Sequence, residues 1–280
     1  MFLSLLHIFI PHMNIQNTSP LRYPGGKTRA CKKLDALLKS HFFSESRLST
    51  QFNQVLSPFF GGGSFEFYLQ HHYPYSIVAN DKFTPLYQFW TTCKHHKTDL
   101  CNQLGTKLGT IDKETFANYR NTILQESDPL IQSTKYFVIN RCSFSGATMS
   151  GGYSTGAATG RFTRSSVDRI QQLNLDSFSI YNLDFEDFIR THHTDTSLMF
   201  LDPPYYLEKA SKLYGNNGDM HEHFDHVKLH RVLSTKKNWL LTYNNCEYIR
   251  DLYKDYLIVD IDWSYGMNAT KQSSEIVILN

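Results

Sequence analysis

After its first dozen residues the 280-residue chain has no apolar run long enough to cross a bilayer. The segment Met1–Pro11 is apolar but too short to span, and it lacks the basic start and small-residue cleavage site of a secretory signal. Met13 is the expected true start, with residues 1–12 a disordered extension. Cysteine is scarce. Cys31, Cys93, Cys101, Cys142 and Cys246 are odd in number, scattered and without CxxC spacing. Neither a disulfide framework nor a thiolate zinc site is indicated, and a reducing cytoplasm is the expected compartment. Charge of one sign is also lacking. Lys and Arg number 28 against 26 Asp and Glu, so any nucleic-acid role has to rest on a local basic face. There is no internal repeat, no HExxH, and no lysine–serine pair after the glycine turn. His221, His223, His226 and His230 alternate with Glu222 and Asp225, and the expectation is a solvated helix face without metal.

What is present is an apolar fraction of 41%, enough to fill the core of one large domain or two small ones. The most informative stretch is Asp202-Pro203-Pro204-Tyr205, directly after the apolar run Ser197–Leu201. That run has the length and composition of a buried parallel strand. It puts an acid, two prolines and an aromatic ring where open α/β sheets bind their ligands. The carboxylate and the proline carbonyls form an acceptor-rich slot suited to a planar group bearing an amine, with a nucleobase as the natural candidate.

Strand patterns recur at Gln54–Leu56, Ser76–Ala79, Phe178–Tyr181, Leu198–Leu201, Trp239–Tyr243, Leu257–Ile261 and Glu275–Leu279. Helical patterns fall at Lys27–Phe42, Phe65–His71, Phe185–Arg190, His223–Leu233 and Glu247–Tyr253. Between Leu86 and Asn140 the pattern is helical, with Gly105 and Gly109 marking a break. This alternation predicts an α/β, Rossmann-like, doubly wound sheet with a helical and hairpin insert. The expected division is one domain from 13–90 and 165–280, with 91–164 inserted. From Ser143 to Arg164, Ser, Thr and Gly alternate with aromatics, and Arg141, Arg161 and Arg164 bracket the stretch. Long ordered loops of this kind tend to be functional.

Four further motifs admit two explanations each. Gly61-Gly62-Gly63 at a strand-to-helix junction either lets backbone approach a ligand or is an ordinary tight turn. Asp81, about 20 residues on, is placed to take ribose hydroxyls or to cap a helix. Arg22-Tyr23-Pro24-Gly25-Gly26-Lys27 is a small anion cradle with a stacking face or a Pro-Gly turn. Asn182-Leu183-Asp184-Phe185 holds an adenine edge and face or is a helix cap.

In order along the chain stand Tyr-Pro-Gly-Gly-Lys (23–27), Ser-Pro-Phe-Phe-Gly-Gly-Gly-Ser (57–64), an insert with Asn140-Arg141-Cys142-Ser143-Phe144-Ser145-Gly146, and Asp-Pro-Pro-Tyr (202–205). Together these resemble the Dam-like (alpha-group) DNA adenine methyltransferases, from Leu21 to Asn280. Ser57 stands where that family usually has an acid, and Phe144 and Ser145 where relatives can have tyrosine and asparagine. The resemblance implies an S-adenosyl-L-methionine-dependent catalytic domain and a target-recognition insert. It implies Tyr23, Lys27, Phe59, Gly61, Gly63, Asp81, Asp184, Phe185 and Asp202 at the cofactor. It implies Asp202, Pro203, Pro204 and Tyr205 at the reacting amine. Arg141, Phe144, Ser145, Arg161 and Arg164 are expected to contact double-stranded DNA, with Phe144 as a wedge or, alternatively, packing of the insert's own core. A monomer without metal is expected, of prokaryotic or viral origin, with a cognate restriction endonuclease as an open partner. The competing classes are a methyltransferase acting on cytosine, RNA adenine or a protein glutamine, a catalytically silent DNA-binding homologue, and a dinucleotide-dependent oxidoreductase. The glutamine enzymes typically carry Asn where this chain has Asp202, and the glycine spacing disfavours the oxidoreductase.

Overall fold

The computed structural model describes residues 17–23, 25–43, 51–206, 224–264 and 272–280. The expected extension at 1–12 lies outside them, as do Pro24, His221 and His223.

The seven strands are β1 (Gln54–Ser57), β2 (Ser76–Asn80), β3 (Phe178–Tyr181), β4 (Ser197–Leu201), β5 (Trp239–Asn244), β6 (Leu257–Ser264) and β7 (Gln272–Leu279). They form one sheet in the order β3-β2-β1-β4-β5-β7-β6. The first five are parallel, and β7 runs antiparallel between β5 and β6. This is the doubly wound, Rossmann-like α/β sheet with an antiparallel closing pair. The chain builds outward from β1 in one direction and from β4 in the other. Their carboxyl ends therefore flank the crevice where such sheets bind ligands.

Every residue of β4 is buried, which explains its unbroken apolar run. Alternate strand residues feed two cores on opposite faces. Val55, Leu198, Phe200 and Leu240 face one core. It is covered by α1 (Cys31–Phe42), α2 (Ser64–His72) and α3 (Thr84–His95). Leu56, Met199 and Leu241 face the other. It is covered by α9 (Phe185–His192), α10 (His226–Leu233) and α11 (Glu247–Leu252).

Between β2 and β3 the chain adds α4 (Lys97–Lys107), α5 (Lys113–Thr122), α6 (Pro129–Cys142), α7 (Thr155–Gly160) and α8 (Arg164–Gln172). Capping residues set the starts. The Asp112 side chain accepts from Thr115 N–H, and Asp128 accepts from Leu130 and Ile131 N–H with Pro129 in the first turn. Gly105 lies within α4 rather than at a break, and the turn falls at Gly109, whose φ is +75°. Buried residues of α4, α5, α6 and α8, such as Leu100, Phe116, Phe137 and Val167, belong to the same apolar cluster as Val55 and Ile77. The insert is thereby fused to the sheet rather than hung from it. The expected hairpin is reduced to one bridge, Ser143 to Tyr153, closing two short turns of 3-10 helix at 144–146 and 148–150.

Candidate active site

A cavity of about 650 Å³ opens where the strands end. It is walled by the turns that follow β1, β2, β3 and β4, and by the 23–27 segment. A short 3-10 turn at Lys27–Arg29 precedes α1 and carries Lys27 inward. Lys27 is 3% exposed, and its three ammonium hydrogens are fully used. Nζ donates to the Gly25 carbonyl, to Asp202 Oδ2 and to Tyr205 Oη, each at 2.9 Å. It also lies 2.8 Å from Asp202 Oδ1 and 3.8 Å from Glu275 Oε2. The expected anion cradle is thus a lysine already matched to carboxylates.

Asp202 leaves the end of β4 with its side chain 22% exposed toward the cavity. Thr242, fully buried on the neighbouring β5, donates from Oγ1 to Asp202 Oδ1 at 2.6 Å. Lysine and threonine hold the carboxylate from two sides, so its remaining lone pairs have a fixed direction. Tyr205 hydrogen-bonds Lys27 through its hydroxyl, and its ring leans on Tyr243 at 6.0 Å between centroids. Pro203 and Pro204 complete this wall.

The glycine turn is packed too tightly for any other residue. A Cβ on Gly61, at φ +50°, would lie 2.9 Å from the Tyr23 ring, and one on Gly62 would lie 2.8 Å from Tyr23 Cβ. At Gly63, φ is +68° and a Cβ would meet the Phe60 ring at 2.6 Å. Asp81 ties this turn to the next one. Its Oδ2 accepts from Gly61 N–H at 3.0 Å and its Oδ1 from Phe83 N–H at 2.9 Å. Burial pushes its carboxyl up to about 6, and those two hydrogen bonds pull the other way.

Phe59 and Phe185 face each other at 5.6 Å and give the cavity an aromatic wall. Asp184 caps α9 through Glu186 N–H and pairs with Lys82 at 3.0 Å and Lys228 at 3.2 Å. The helix-cap explanation describes the Asp184 carboxylate, while Phe185 supplies the apolar face.

At the expected nucleic-acid side, Phe144 is 67% exposed, and Ser145 sits beside it at φ +54°. Arg161 and Arg164 are exposed. Arg141 is not: it is 8% exposed, donating to the Arg161 carbonyl at 2.8 Å and the Pro20 carbonyl at 3.2 Å. The last turn of α6 points it inward, so it holds the insert to the 20–22 segment instead of facing solvent. Burial, then the nearby Arg22, Arg169 and Arg161, push its guanidinium down to about 10.

Thr242, Glu275 and Glu66 gave no sequence signal, and Arg22 was read only as part of the 22–27 cradle. Arg22 exchanges two backbone hydrogen bonds with the Asn140 side chain, which places it against Arg161 and the 143–152 turns. Thr242 is a lone hydroxyl in an apolar strand. Glu275 lies on the edge-closing pair. Glu66 is 2% exposed on α2, and the buried Ser57 hydroxyl donates to its Oε1 at 2.5 Å. A carboxyl therefore stands beside Ser57, where the resemblance expects an acid. Burial pushes it up to about 7, against the Ser57 hydrogen bond.

Of the histidine cluster, His226 is buried and bonds the Tyr243 hydroxyl at 2.7 Å. Among the described residues no three His, Cys, Asp or Glu side chains are grouped to hold a metal, and no helix is long and apolar enough to cross a membrane. No curated protein matches the sequence. A family model, D12 class N6 adenine-specific DNA methyltransferase, matches residues 23–267. That span runs from the Tyr23 that backs the glycine turn past the Asp202 slot and the Thr242 beside it, and the chain belongs to that family of adenine-methylating DNA enzymes.

Proposed function

We propose that the protein transfers a methyl group from S-adenosyl-L-methionine to the N6 amine of adenine within a short, specific sequence of double-stranded DNA. The observation that carries this is Asp202, held by Lys27 and Thr242 in the wall of a cavity that the glycine turn also lines.

The cavity suits this donor on its own chemistry. Its volume lies within the ~300–1,000 Å³ range of small-molecule sites. The glycine turn is a cradle that any Cβ would fill. Asp81 ends β2, where acids take ribose hydroxyls. Phe59 and Phe185, packed against each other, offer an apolar face for adenine. When bound, the donor supplies an electrophilic methyl on a sulfonium. Everything else falls to the chain's own groups. The target amine's lone pair is delocalised into the purine ring, so it is a poor nucleophile. Asp202 and the Pro203 carbonyl accept its two N–H hydrogens, which steers the nitrogen toward tetrahedral geometry and frees the pair. Tyr205 supplies a ring to stack on the base. Such fixed acceptors and positioning need no reorganisation during reaction.

The base has to leave the duplex, at a cost of about a few kcal/mol. Phe144 is exposed to fill the gap it leaves, and Ser145 lies next to the base step. Arg22 and Arg161 lie close enough to repel, and with the exposed Arg164 they supply charge that suits phosphates. A monomer acting in the cytoplasm, of prokaryotic or viral origin and with or without a partner endonuclease, completes the assignment.

The test is to incubate the purified chain with radiolabelled S-adenosyl-L-methionine and mixed-sequence DNA, then to digest and map the label. N6-methyladenine in one sequence context is expected. Label on cytosine, or none, removes the assignment. The DNA face has its own test. Arg161→Ala weakens duplex binding and lowers the slope of log affinity against log salt by about 1. An unchanged slope takes Arg161 out of the interface.

A further inference from the structure

We propose that Glu66 makes the cavity selective for the positively charged methyl donor over the neutral thioether that remains after transfer. This deepens the donor assignment above and rests on it.

Glu66 is the third residue of α2, directly after the glycine turn. An acid in a first turn favours a helix equally well from solvent. This one is instead 2% exposed, part of the cavity wall, and tied to the buried Ser57 on β1. Its charge surroundings explain why the placement matters. Lys27 comes from the 3-10 turn before α1, and Asp202 from the end of β4. Lys27 also reaches Glu275 on β7 at 3.8 Å. Among the described residues, the one ammonium that acts on Glu66 is already matched to Asp202. The Cys31 thiol on α1 faces the same acid and brings no positive charge; burial, then Glu66, push it up to about 12. A buried carboxylate in excess of its counterions is costly unless a cation arrives or it takes up a proton. The Glu66 carboxyl, poised at about 7, does the second until a cation allows the first.

The transfer removes that cation. The sulfur–methyl bond breaks as the carbon–nitrogen bond forms. The electron pair stays on sulfur, which becomes a neutral thioether, and the amine's surplus proton leaves to solvent. Both forms share the same adenosine and amino-acid groups, so the sulfur charge is what distinguishes them. An ionised Glu66 lowers the free energy of the donor complex and contributes little to the spent complex. Entry of donor and exit of product are both favoured.

The experiment is titration calorimetry of wild type and Glu66→Gln, without DNA, using S-adenosyl-L-methionine and S-adenosyl-L-homocysteine at about pH 6 and about pH 8. In wild type the preference for the sulfonium over the thioether is expected to grow at least about threefold across this range, as Glu66 ionises. In Glu66→Gln the preference at the higher pH is expected to fall about tenfold and to lose that growth. Asp81 also titrates near 6, but it is retained in Glu66→Gln, so the difference between the two proteins belongs to Glu66. A wild-type preference that ignores pH, or a Glu66→Gln change that weakens both ligands equally, overturns the proposal and leaves the donor assignment intact. A wild type that binds neither ligand overturns both. Should Glu66→Gln not fold, Ser57→Ala takes its place: losing the hydroxyl that holds the Glu66 carboxyl down shifts the growth of the preference to higher pH, and an unshifted growth overturns the proposal.

Discussion

Asp202→Ala lowers methyl transfer by about 10³-fold or more, while affinity for the duplex stays within a few fold of wild type. The size of the effect follows from what the carboxylate has around it. Thr242 at 2.6 Å and Lys27 at 2.8 and 2.9 Å pre-orient it, so its free lone pairs meet the incoming amine without rearrangement. No neighbouring group takes over. Thr242 sits behind it on β5, fully buried, and Glu275 is engaged with Lys27 at 3.8 Å. DNA affinity is expected to be spared because the exposed arginines proposed to meet phosphates, Arg161 and Arg164, lie away from β4, on the chain between β2 and β3. The measurement is single-turnover transfer with saturating donor and duplex, alongside duplex titration without donor. Retained turnover would remove the acceptor role from Asp202. Binding lost in parallel with turnover would mean the residue holds the fold rather than the amine.

The sheet was legible because its signals are local. Ser197–Leu201 is apolar throughout since β4 is buried on both faces, and the turn residues after β1, β2, β3 and β4 line the cavity. The glycine turn was legible for the same reason, as a crowding of Gly61, Gly62 and Gly63 has few other causes. What escaped was what needs two distant segments at once. Nothing near residue 66 says that its side chain turns back to Ser57. Nothing near residue 242 says that its hydroxyl reaches the strand next door. Arg141 misled for the matching reason. A charged residue beside a polar loop reads as solvent-facing, but the last turn of α6 aims it at the carbonyls of Pro20 and Arg161. Nor does anything local to residues 97–172 say that their helices share the sheet's own core.

Lys27→Met is expected to destabilise the protein by about 3–5 kcal/mol, more than the loss of a solvent-exposed charge would. Lys27 is 3% exposed, and Glu275, 3.8 Å away, is 3% exposed as well. Methionine fills much of the volume but leaves Asp202 and Glu275 facing each other without the ammonium, and it strips the Gly25 carbonyl and the Tyr205 hydroxyl of a donor. Burial, not a missing contact, is then the source of the penalty. The pH dependence carries the same signature. Glu66 is raised from 4.5 to about 7 in the folded chain, so the folded state binds more protons than the unfolded one between those values. Stability falls as pH rises through that window, by up to roughly 1.4 kcal/mol per pH unit. Lys27 is one of the groups holding the Glu66 carboxyl down. Its removal therefore extends the decline to higher pH in the variant than in wild type. Urea unfolding of both proteins from about pH 5 to about pH 8, read as midpoint with slope unchanged, checks both parts. A loss below 1 kcal/mol, or the same pH profile in both proteins, would mean the ammonium does not balance the carboxyls beneath the glycine turn.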